Sequence, residues 1–330
     1  MLHVSLLHGI SLATGLMHCY VTNRPITVAY EVTLSCNCNC RHCNLGGLVK
    51  DEKQIEPKEY ESLTHRFKPL VAQITGGEPL LRRDIVAVVK AIKQGGAQFV
   101  ILQTNGALLN ESNYLQLREV GVNQFSISFD FPDERHDEFR RTPGLYKHLE
   151  QTLPRLSKFG FEDITFNTAI TKANLKEMLP LGKKAADWGV YISFSAYTAL
   201  RTGNKDYCLN GEEDLDILRQ TISRLIVLPK QKTHVTNPEC TLRGTLKFFE
   251  QGYMPNCKAG MRFFVVMPDG SLVPCSLQRS KYTTRKEMIE ESCQTDQCDD
   301  CYTSMRSYCE MSFLSHVKNL PTYLRQVTFH

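Results

Sequence analysis

Residues 29–43 read AYEVTLSCNCNCRHC, an apolar run with β-branched residues that leads directly into four cysteines within eight residues. The run predicts a buried strand over 29–35, so the cysteines lie in the loop at the carboxyl end of that strand. Cys36, Cys40 and Cys43 stand in C-x3-C-x2-C spacing. One tight loop with this spacing presents three thiolates to three corners of a 4Fe-4S cubane, and the fourth iron stays open to an exogenous ligand.

Two other interpretations of these cysteines stay open. A zinc site would need a fourth protein ligand, which Cys38 supplies only if the loop bends back on itself. Alternatively, the thiols are small apolar side chains that are buried by coincidence. We predict that Cys38 lies outside the ligand set.

Beyond this loop, apolar β-branched runs alternate with charged stretches of helical spacing, which indicates strands joined by crossover helices. The predicted strands cover residues 29–35, 71–75, 99–104, 124–130, 164–170 and 190–195. The predicted helices cover residues 58–66, 84–94, 112–120, 145–159 and 175–188. By periodicity alone, six βα units fit a partial barrel and an open doubly wound sheet equally well.

The second predicted strand ends in a glycine-rich turn made of Gly76, Gly77, Glu78 and Pro79. Glycine lets a backbone approach a ligand closely, and proline fixes the direction of the chain. One βα unit after C-x3-C-x2-C, this turn resembles the GGEP motif of the radical S-adenosylmethionine (SAM) enzymes. The resemblance covers about residues 30–195. It implies a partial (β/α)6 TIM-like barrel in which these four residues hold the amino group of the SAM methionine.

The resemblance continues at the ends of later strands. Thr104 and Asn105 follow the third strand, and Ser128 and Asp130 lie on one face of the fourth because strand side chains alternate. The resemblance implies that these residues line the adenosyl pocket, with a hydroxyl and a carboxylate near the ribose. The alternative for Asp130 is a cap on the helical segment 133–140.

The resemblance also implies the chemistry. A reduced cluster cleaves SAM to methionine and a 5'-deoxyadenosyl radical, which takes a hydrogen atom from the substrate. The electron comes from a donor such as a flavodoxin or a ferredoxin. One residue departs from the family pattern, because His42 stands where an aromatic hydrocarbon ring is more usual. We expect altered packing or hydrogen bonding near the cluster.

A second group of cysteines follows a β-hairpin that the turn at 268–270 predicts over residues 263–275. Its members are Cys257, Cys275, Cys293, Cys298, Cys301 and Cys309. The spacing from Cys257 through Gly270 to Cys275 resembles the opening of the SPASM and twitch extensions, which bind auxiliary 4Fe-4S clusters.

Six thiols suffice for one fully ligated cluster, whereas two clusters would need about eight. We predict one auxiliary cluster of the twitch type on Cys257, Cys275, Cys298 and Cys301, with Cys293 and Cys309 as spare or alternative ligands. A structural zinc ribbon is the competing interpretation.

These patterns divide the chain into an N-terminal amphipathic extension (1–28), a core (29–230) and an auxiliary-cluster domain (231–330). The extension predicts a helix that packs on the core, with membrane-surface contact or substrate lidding as alternatives. It lacks the basic start of a secretory signal, so we predict a reducing, cytoplasmic compartment.

The composition excludes several functional classes. With 42% hydrophobic and 22% charged residues, the 330-residue chain has the composition of a soluble globular protein. A net charge of +4 is too small to indicate nucleic-acid binding. A non-catalytic iron-sulfur carrier is disfavoured because carriers saturate their clusters with protein ligands.

The sequence gives little information about the substrate. The loop 197–207, with Tyr197 and Arg201, has the amphipathic composition of a binding rim or of a solvent-facing loop. Family members with such extensions commonly modify peptides, so we lean to a peptide substrate. Oxidation or rearrangement of a small molecule or a tetrapyrrole is the alternative, and no side chain is singled out as a catalytic group.

Overall fold

The computed structural model describes residues 6–228, 234–293 and 298–324. One eight-stranded sheet forms its core, in the order β6-β5-β4-β3-β2-β1-β7-β8. All neighbours are parallel except β7 and β8, which form an antiparallel hairpin. The strands are β1 (Thr27–Glu31), β2 (Val71–Thr75), β3 (Phe99–Thr104), β4 (Gln124–Ser128), β5 (Ile164–Ile170), β6 (Tyr191–Ala196), β7 (Phe263–Val266) and β8 (Leu272–Val273).

All six predicted strands of the barrel are present. The first one is displaced, because β1 begins two residues earlier than predicted and ends at Glu31. After that point the carboxylate of Glu52 accepts hydrogen bonds from the Thr33 hydroxyl and the Leu34 backbone N–H. These hydrogen bonds hold residues 33 and 34 outside the sheet, where the cysteine loop begins.

Most of the helices pack outside the sheet, as crossover helices between parallel strands do. The helices are α1 (Leu6–Thr22), α2 (Pro57–Phe67), α3 (Ile85–Gln94), α4 (Glu111–Glu119), α5 (Arg135–Arg140), α6 (Leu145–Ser157), α7 (Met178–Asp187), α8 (Glu212–Val227), α9 (Glu239–Gln251), α10 (Arg285–Met288), α11 (Ser304–Cys309) and α12 (Phe313–Leu324). Local sequence explains several boundaries. A capping box formed by Glu56 and Glu59 opens α2, and Asn110 caps α4.

The region after residue 233 is joined to the barrel rather than separate from it. Strand β7 pairs in parallel with β1, so that Thr27 lies opposite Phe263 and Tyr30 opposite Val266. The predicted hairpin is therefore present, but its first strand extends the barrel sheet. The predicted domain boundary at 230 falls within 229–233, which lies outside the described residues.

The N-terminal helix packs on the core, as the sequence predicts. Leu16 and Cys19 of α1 are buried beside Ile26 and Leu70. Tyr20 stacks edge-to-face on Phe313 of α12 at 5.8 Å, so the first and last described helices lie together. Within the described residues, no helix is long and apolar enough to cross a membrane.

Candidate functional site

The cysteine loop is buried at the carboxyl end of β1. Cys36, Cys38 and Cys40 are each less than one-tenth exposed, and Cys43 is partly buried. The loop is closed by a hydrogen bond from the Cys36 N–H to the Gly47 carbonyl at 2.9 Å. The sequence predicts Cys38 outside the ligand set, but the structure places its thiol within hydrogen-bonding reach of both Cys36 and Cys40.

Polar groups from other segments of the chain point at these sulfurs. The Arg140 guanidinium lies 3.6 Å from the Cys40 Sγ, and the Asn105 amide lies 3.9 Å from the Cys36 Sγ. The hydrogen bond from the Cys38 thiol, together with the Arg140 charge, lowers the pKa of Cys40 to about 6. The loop thus favours a thiolate at Cys40, which is the form that binds metal.

The glycine-rich turn is tied to the start of this loop. Gly77 N–H donates to the Thr33 carbonyl at 2.7 Å, and Glu78 N–H donates to the Ser35 carbonyl at 2.8 Å. The Glu78 carboxylate is fully buried and accepts hydrogen bonds from the Thr104 hydroxyl and the Asn105 N–H, at 2.6 and 2.7 Å. It therefore joins the ends of β2 and β3, and the predicted contact with SAM is left to the backbone of the turn.

A prediction follows from the packing at Gly77. A Cβ at this position would lie closer to the Ser35 carbonyl than the 3.0 Å below which real Cβ atoms are essentially never found. Gly77→Val should displace the cysteine loop, and so lower both the iron content and the affinity for SAM, measured separately by iron assay and equilibrium dialysis. Gly160→Val is the control for general destabilisation, because its φ of +75° strains the backbone of any side-chain-bearing residue while its Cβ meets open space. A Gly77→Val protein with full iron and unchanged SAM affinity would contradict this packing argument.

Asp130 lies in a buried ion pair at the end of β4. Its Oδ2 accepts from Arg140 Nε at 2.7 Å and from Arg140 Nη2 at 2.6 Å, and neither residue is more than about one-tenth exposed. Arg140 comes from the last turn of α5 and contacts Cys40 with its remaining nitrogen. The carboxylate is thus linked to the cysteine loop through Arg140, and Ser128 on the same strand face is partly buried. Ribose contacts from these two residues stay a prediction.

A second prediction concerns this ion pair. Arg140→Met leaves Asp130 as an unpaired buried carboxylate, which should cost about 3–5 kcal/mol of unfolding free energy. Arg118→Met is a matched control, because it breaks a similarly buried pair with Asp163, which lies at the amino end of the neighbouring strand β5. We expect comparable urea destabilisation in both proteins, but loss of iron from the first cysteine site only in Arg140→Met. Equal iron content in the two variants would show that Arg140 does not support the first cysteine site.

His42, which departs from the family pattern, packs against an aromatic neighbour. Its ring stacks on Phe139 at 4.5 Å with an interplanar angle of 12°. Burial lowers its pKa well below the usual histidine value, so the ring is neutral. His42 therefore fills the position as a flat aromatic ring would.

Four of the C-terminal cysteines surround one small cavity. Its lining includes Cys257, Cys275, Cys298 and Cys301. Burial raises the pKa of Cys257 to about 12 and that of Cys301 to about 11. Cys293 instead donates to the Met288 carbonyl at 3.5 Å, and Cys309 donates to the Thr27 hydroxyl at 3.3 Å. The structure thus brings together the four cysteines predicted as auxiliary ligands and places the other two elsewhere.

A fully buried arginine holds the walls of this cavity. Arg306 donates to the carbonyls of Met254, Pro255 and Cys301 at 2.6, 2.9 and 2.7 Å. Its Nε donates to both carboxylate oxygens of Glu310 at 3.0 Å. Each of the three guanidinium nitrogens donates a hydrogen bond, so the segments that carry Cys257 and Cys301 are fixed relative to each other.

The barrel lumen contains a cavity of about 250 Å³ in the half nearer the amino ends of the strands. Its wall is mostly apolar, and amide and hydroxyl side chains supply the smaller polar part, among them Gln73, Gln124, Ser126, Asn167 and Ser193. Met305 of α11 lines this cavity and also the cavity of the four cysteines. The lumen and the second cysteine site are therefore adjacent.

Three supporting residues of these sites are not predicted from the sequence: Arg140, Arg306 and Glu52. Each acts through a contact between segments that are distant in the chain, and no local pattern marks such a contact. Arg140 stands at the end of a short helical pattern where a basic residue is ordinary. Only a buried partner distinguishes it, and burial of Asp130 was not visible before the fold.

Comparison with known proteins decides the family. The family profile described as Radical SAM superfamily matches residues 30–181. A relative named Probable GTP 3',8-cyclase, from Methanothermobacter marburgensis, is 31% identical over 284 residues, which cover 81% of this chain and 89% of the relative. The chain belongs to the radical SAM superfamily. The resemblance predicted from the motifs is confirmed, and the chain is an enzyme of that superfamily.

Other radical SAM proteins share parts of the chain. An AdoMet-dependent heme synthase from Methanosarcina barkeri is 33% identical over 197 residues, which are 56% of this chain and 54% of that protein. The chain thus spans about half the length of this curated relative. The crystal structure of Streptococcus suis SuiB bound to precursor peptide SuiA aligns with a TM-score of 0.61 and 16% identity, over 84% of this chain and 68% of that chain. The predicted partial-barrel fold is confirmed.

Membership in the radical SAM superfamily implies a 4Fe-4S cluster and SAM. The first cysteine loop fits this cluster, because its sulfurs are soft ligands and receive N–H groups from Arg140 and Asn105. The cavity of Cys257, Cys275, Cys298 and Cys301 offers four thiols, which is the donor set of a fully ligated cluster.

Proposed function

We propose that the chain binds SAM at a 4Fe-4S cluster on Cys36, Cys40 and Cys43 and uses it to oxidise or rearrange a substrate in the barrel lumen. The observation that carries the proposal is the buried three-cysteine loop hydrogen-bonded to the Gly76–Glu78 turn. When bound there, the cluster supplies the electron that cleaves SAM to methionine and a 5'-deoxyadenosyl radical, which abstracts hydrogen from the substrate. That electron comes from a flavodoxin-like or ferredoxin-like donor.

The residues around the loop prepare this chemistry. Glu78 fixes the turn whose backbone faces the methionine end of SAM, and Thr104 and Asn105 are held by the same carboxylate. Arg140 places a buried positive charge beside Cys40. A buried, preorganised site lets the protein hold SAM without water at the reacting bond.

We further propose an auxiliary 4Fe-4S cluster on Cys257, Cys275, Cys298 and Cys301. The shared wall at Met305 supports it, because a substrate in the lumen then lies beside these four cysteines. Such a cluster would position the substrate or accept an electron from it.

The lumen volume bears on the substrate. About 250 Å³ is below the common range of about 300–1,000 Å³ for ligand pockets, so a compact group enters it. One side chain of a peptide fits, and so does a small molecule. The lean to a peptide stays a prediction, and the relatives named heme synthase and GTP 3',8-cyclase support the small-molecule alternative.

The test is anaerobic reconstitution with iron and sulfide, followed by addition of SAM and dithionite. We expect 5'-deoxyadenosine in the wild-type reaction and none when SAM or dithionite is left out. A reconstituted protein that binds SAM but forms no 5'-deoxyadenosine would reject radical SAM activity in favour of an iron-sulfur carrier.

A further inference from the structure

Two arginines meet a single glutamate above the lumen. Glu31, the last residue of β1, is 2% exposed and lies on the same strand face as Thr27, which lines the lumen cavity. Arg279, which follows β8, donates to both Glu31 carboxylate oxygens at 2.8 and 2.9 Å. Arg201, which follows β6, approaches the same carboxylate at 4.0 Å. The segments that follow the two edge strands, β6 and β8, therefore meet at the end of β1.

The group carries one excess positive charge, because two arginines contact a single glutamate. Arg279 donates to both carboxylate oxygens of Glu31, and this bidentate geometry is the strongest one between a guanidinium and a carboxylate. Arg201 keeps only the 4.0 Å contact, although its side chain is only 16% exposed, and its Nε has no hydrogen-bond partner among the described residues. A largely buried guanidinium without a full partner is costly, so the site favours a second anion.

The group also lies between the two cysteine sites. Arg201 is close enough to act electrostatically on Cys43 of the first site, and Arg279 on Cys275 of the second. Leu200 and Gln278, the chain neighbours of these arginines, line the cavity of the four cysteines. An anion bound by Arg201 would lie where a substrate reaches both sites.

We propose that Arg201, beside the Glu31–Arg279 ion pair, binds a carboxylate of the substrate. This inference rests on the proposed function, because it names a chemical feature of the substrate that enters the lumen. A carboxylate matches the planar fork of arginine and supplies the single negative charge that the group lacks. A triphosphate carries more negative charge than this site compensates.

The probe is propionate, with propionamide as the neutral molecule of the same shape, on the reconstituted holoenzyme at constant ionic strength. We expect propionate, but not propionamide, to raise the melting temperature of the wild type, because a ligand that binds the folded state stabilises it. In Arg201→Met the apparent affinity for propionate should fall about tenfold or more, as loss of a charge-assisted hydrogen bond implies. In Glu31→Gln it should rise, since Arg279 is then released from its partner.

Opposite changes in these two variants cannot come from general destabilisation. Arg243→Met is the matched control, because Arg243 is a largely exposed arginine with one acidic partner, Glu239. Its propionate response should equal that of the wild type. No response in the wild type, or an equal response in Arg201→Met, would overturn the inference.

Two further measurements separate the sources of the carboxylate and the fate of the proposed function. SAM affinity should be unchanged in Arg201→Met, and a parallel loss of SAM affinity would show that the site holds the methionine carboxylate instead, which overturns the inference. The same samples are assayed for 5'-deoxyadenosine with SAM and dithionite. Absence of 5'-deoxyadenosine in the wild type would reject the proposed function, while the propionate response tests the arginine site by itself.

Discussion

Replacing Cys40 by alanine is expected to abolish reductive cleavage of SAM, and Cys36→Ala and Cys43→Ala should do the same. Loss of one thiolate exposes a second iron and destabilises the cubane. Since loss of a residue that only supports a metal ligand typically costs about 10–100-fold, loss of a ligand should exceed about 100-fold. The measurement is 5'-deoxyadenosine formed per reconstituted chain under dithionite, together with iron content.

Cys38→Ala is the matched control for this experiment. Its thiol is 2% exposed, accepts a hydrogen bond from the Thr142 hydroxyl at 3.1 Å, and lies beside two of the predicted ligands. If it is not a ligand, its removal costs about 1 kcal/mol of stability and leaves iron and activity in place. An inactive Cys38→Ala protein beside an active Cys40→Ala protein would reverse the ligand assignment.

Removing Cys257 and Cys275 together should halve the iron content. A wild-type chain with one catalytic and one auxiliary cubane holds about eight irons, and the double variant should hold about four. The spectroscopic signature of the first cluster should persist, because its cysteines lie in a separate loop. We expect substrate conversion to fall far more than uncoupled SAM cleavage, since the first cluster alone suffices for cleavage.

Cys293→Ala is the control for the second site, because the Cys293 thiol donates to the Met288 carbonyl and does not line the cavity. It should keep about eight irons. A wild-type content near twelve irons would show two auxiliary clusters. Zinc in place of the second set of iron would make the region a structural zinc ribbon.

Sequence periodicity predicts the strands because the apolar residues that define each buried strand are close together in the sequence. Strands β2, β3 and β5 begin and end as predicted. Spacing likewise brought out Cys36, Cys40 and Cys43, which lie in one loop. The sequence did not reveal that β7 pairs with β1, because a parallel neighbour leaves no mark on either strand.

The ion pairs of the site lay beyond sequence reasoning for the same reason. Arg279 and Glu31 are 248 positions apart, and each is an ordinary charged residue in its own segment. Arg201 stood in a loop that composition could not separate from solvent-facing chain. Only the closure of the barrel shows that these charges face one another in the interior.

The pairing of β7 with β1 also has a consequence for biosynthesis. All five residues of β1 are buried, yet one of its two neighbours is made about 230 residues later. At about 5–20 residues per second, the ribosome leaves that strand edge unpaired for roughly ten to fifty seconds. An unpaired apolar edge is a template for aggregation. The nascent chain should therefore depend on chaperones until β7 emerges, and a chain truncated after residue 230 should be insoluble.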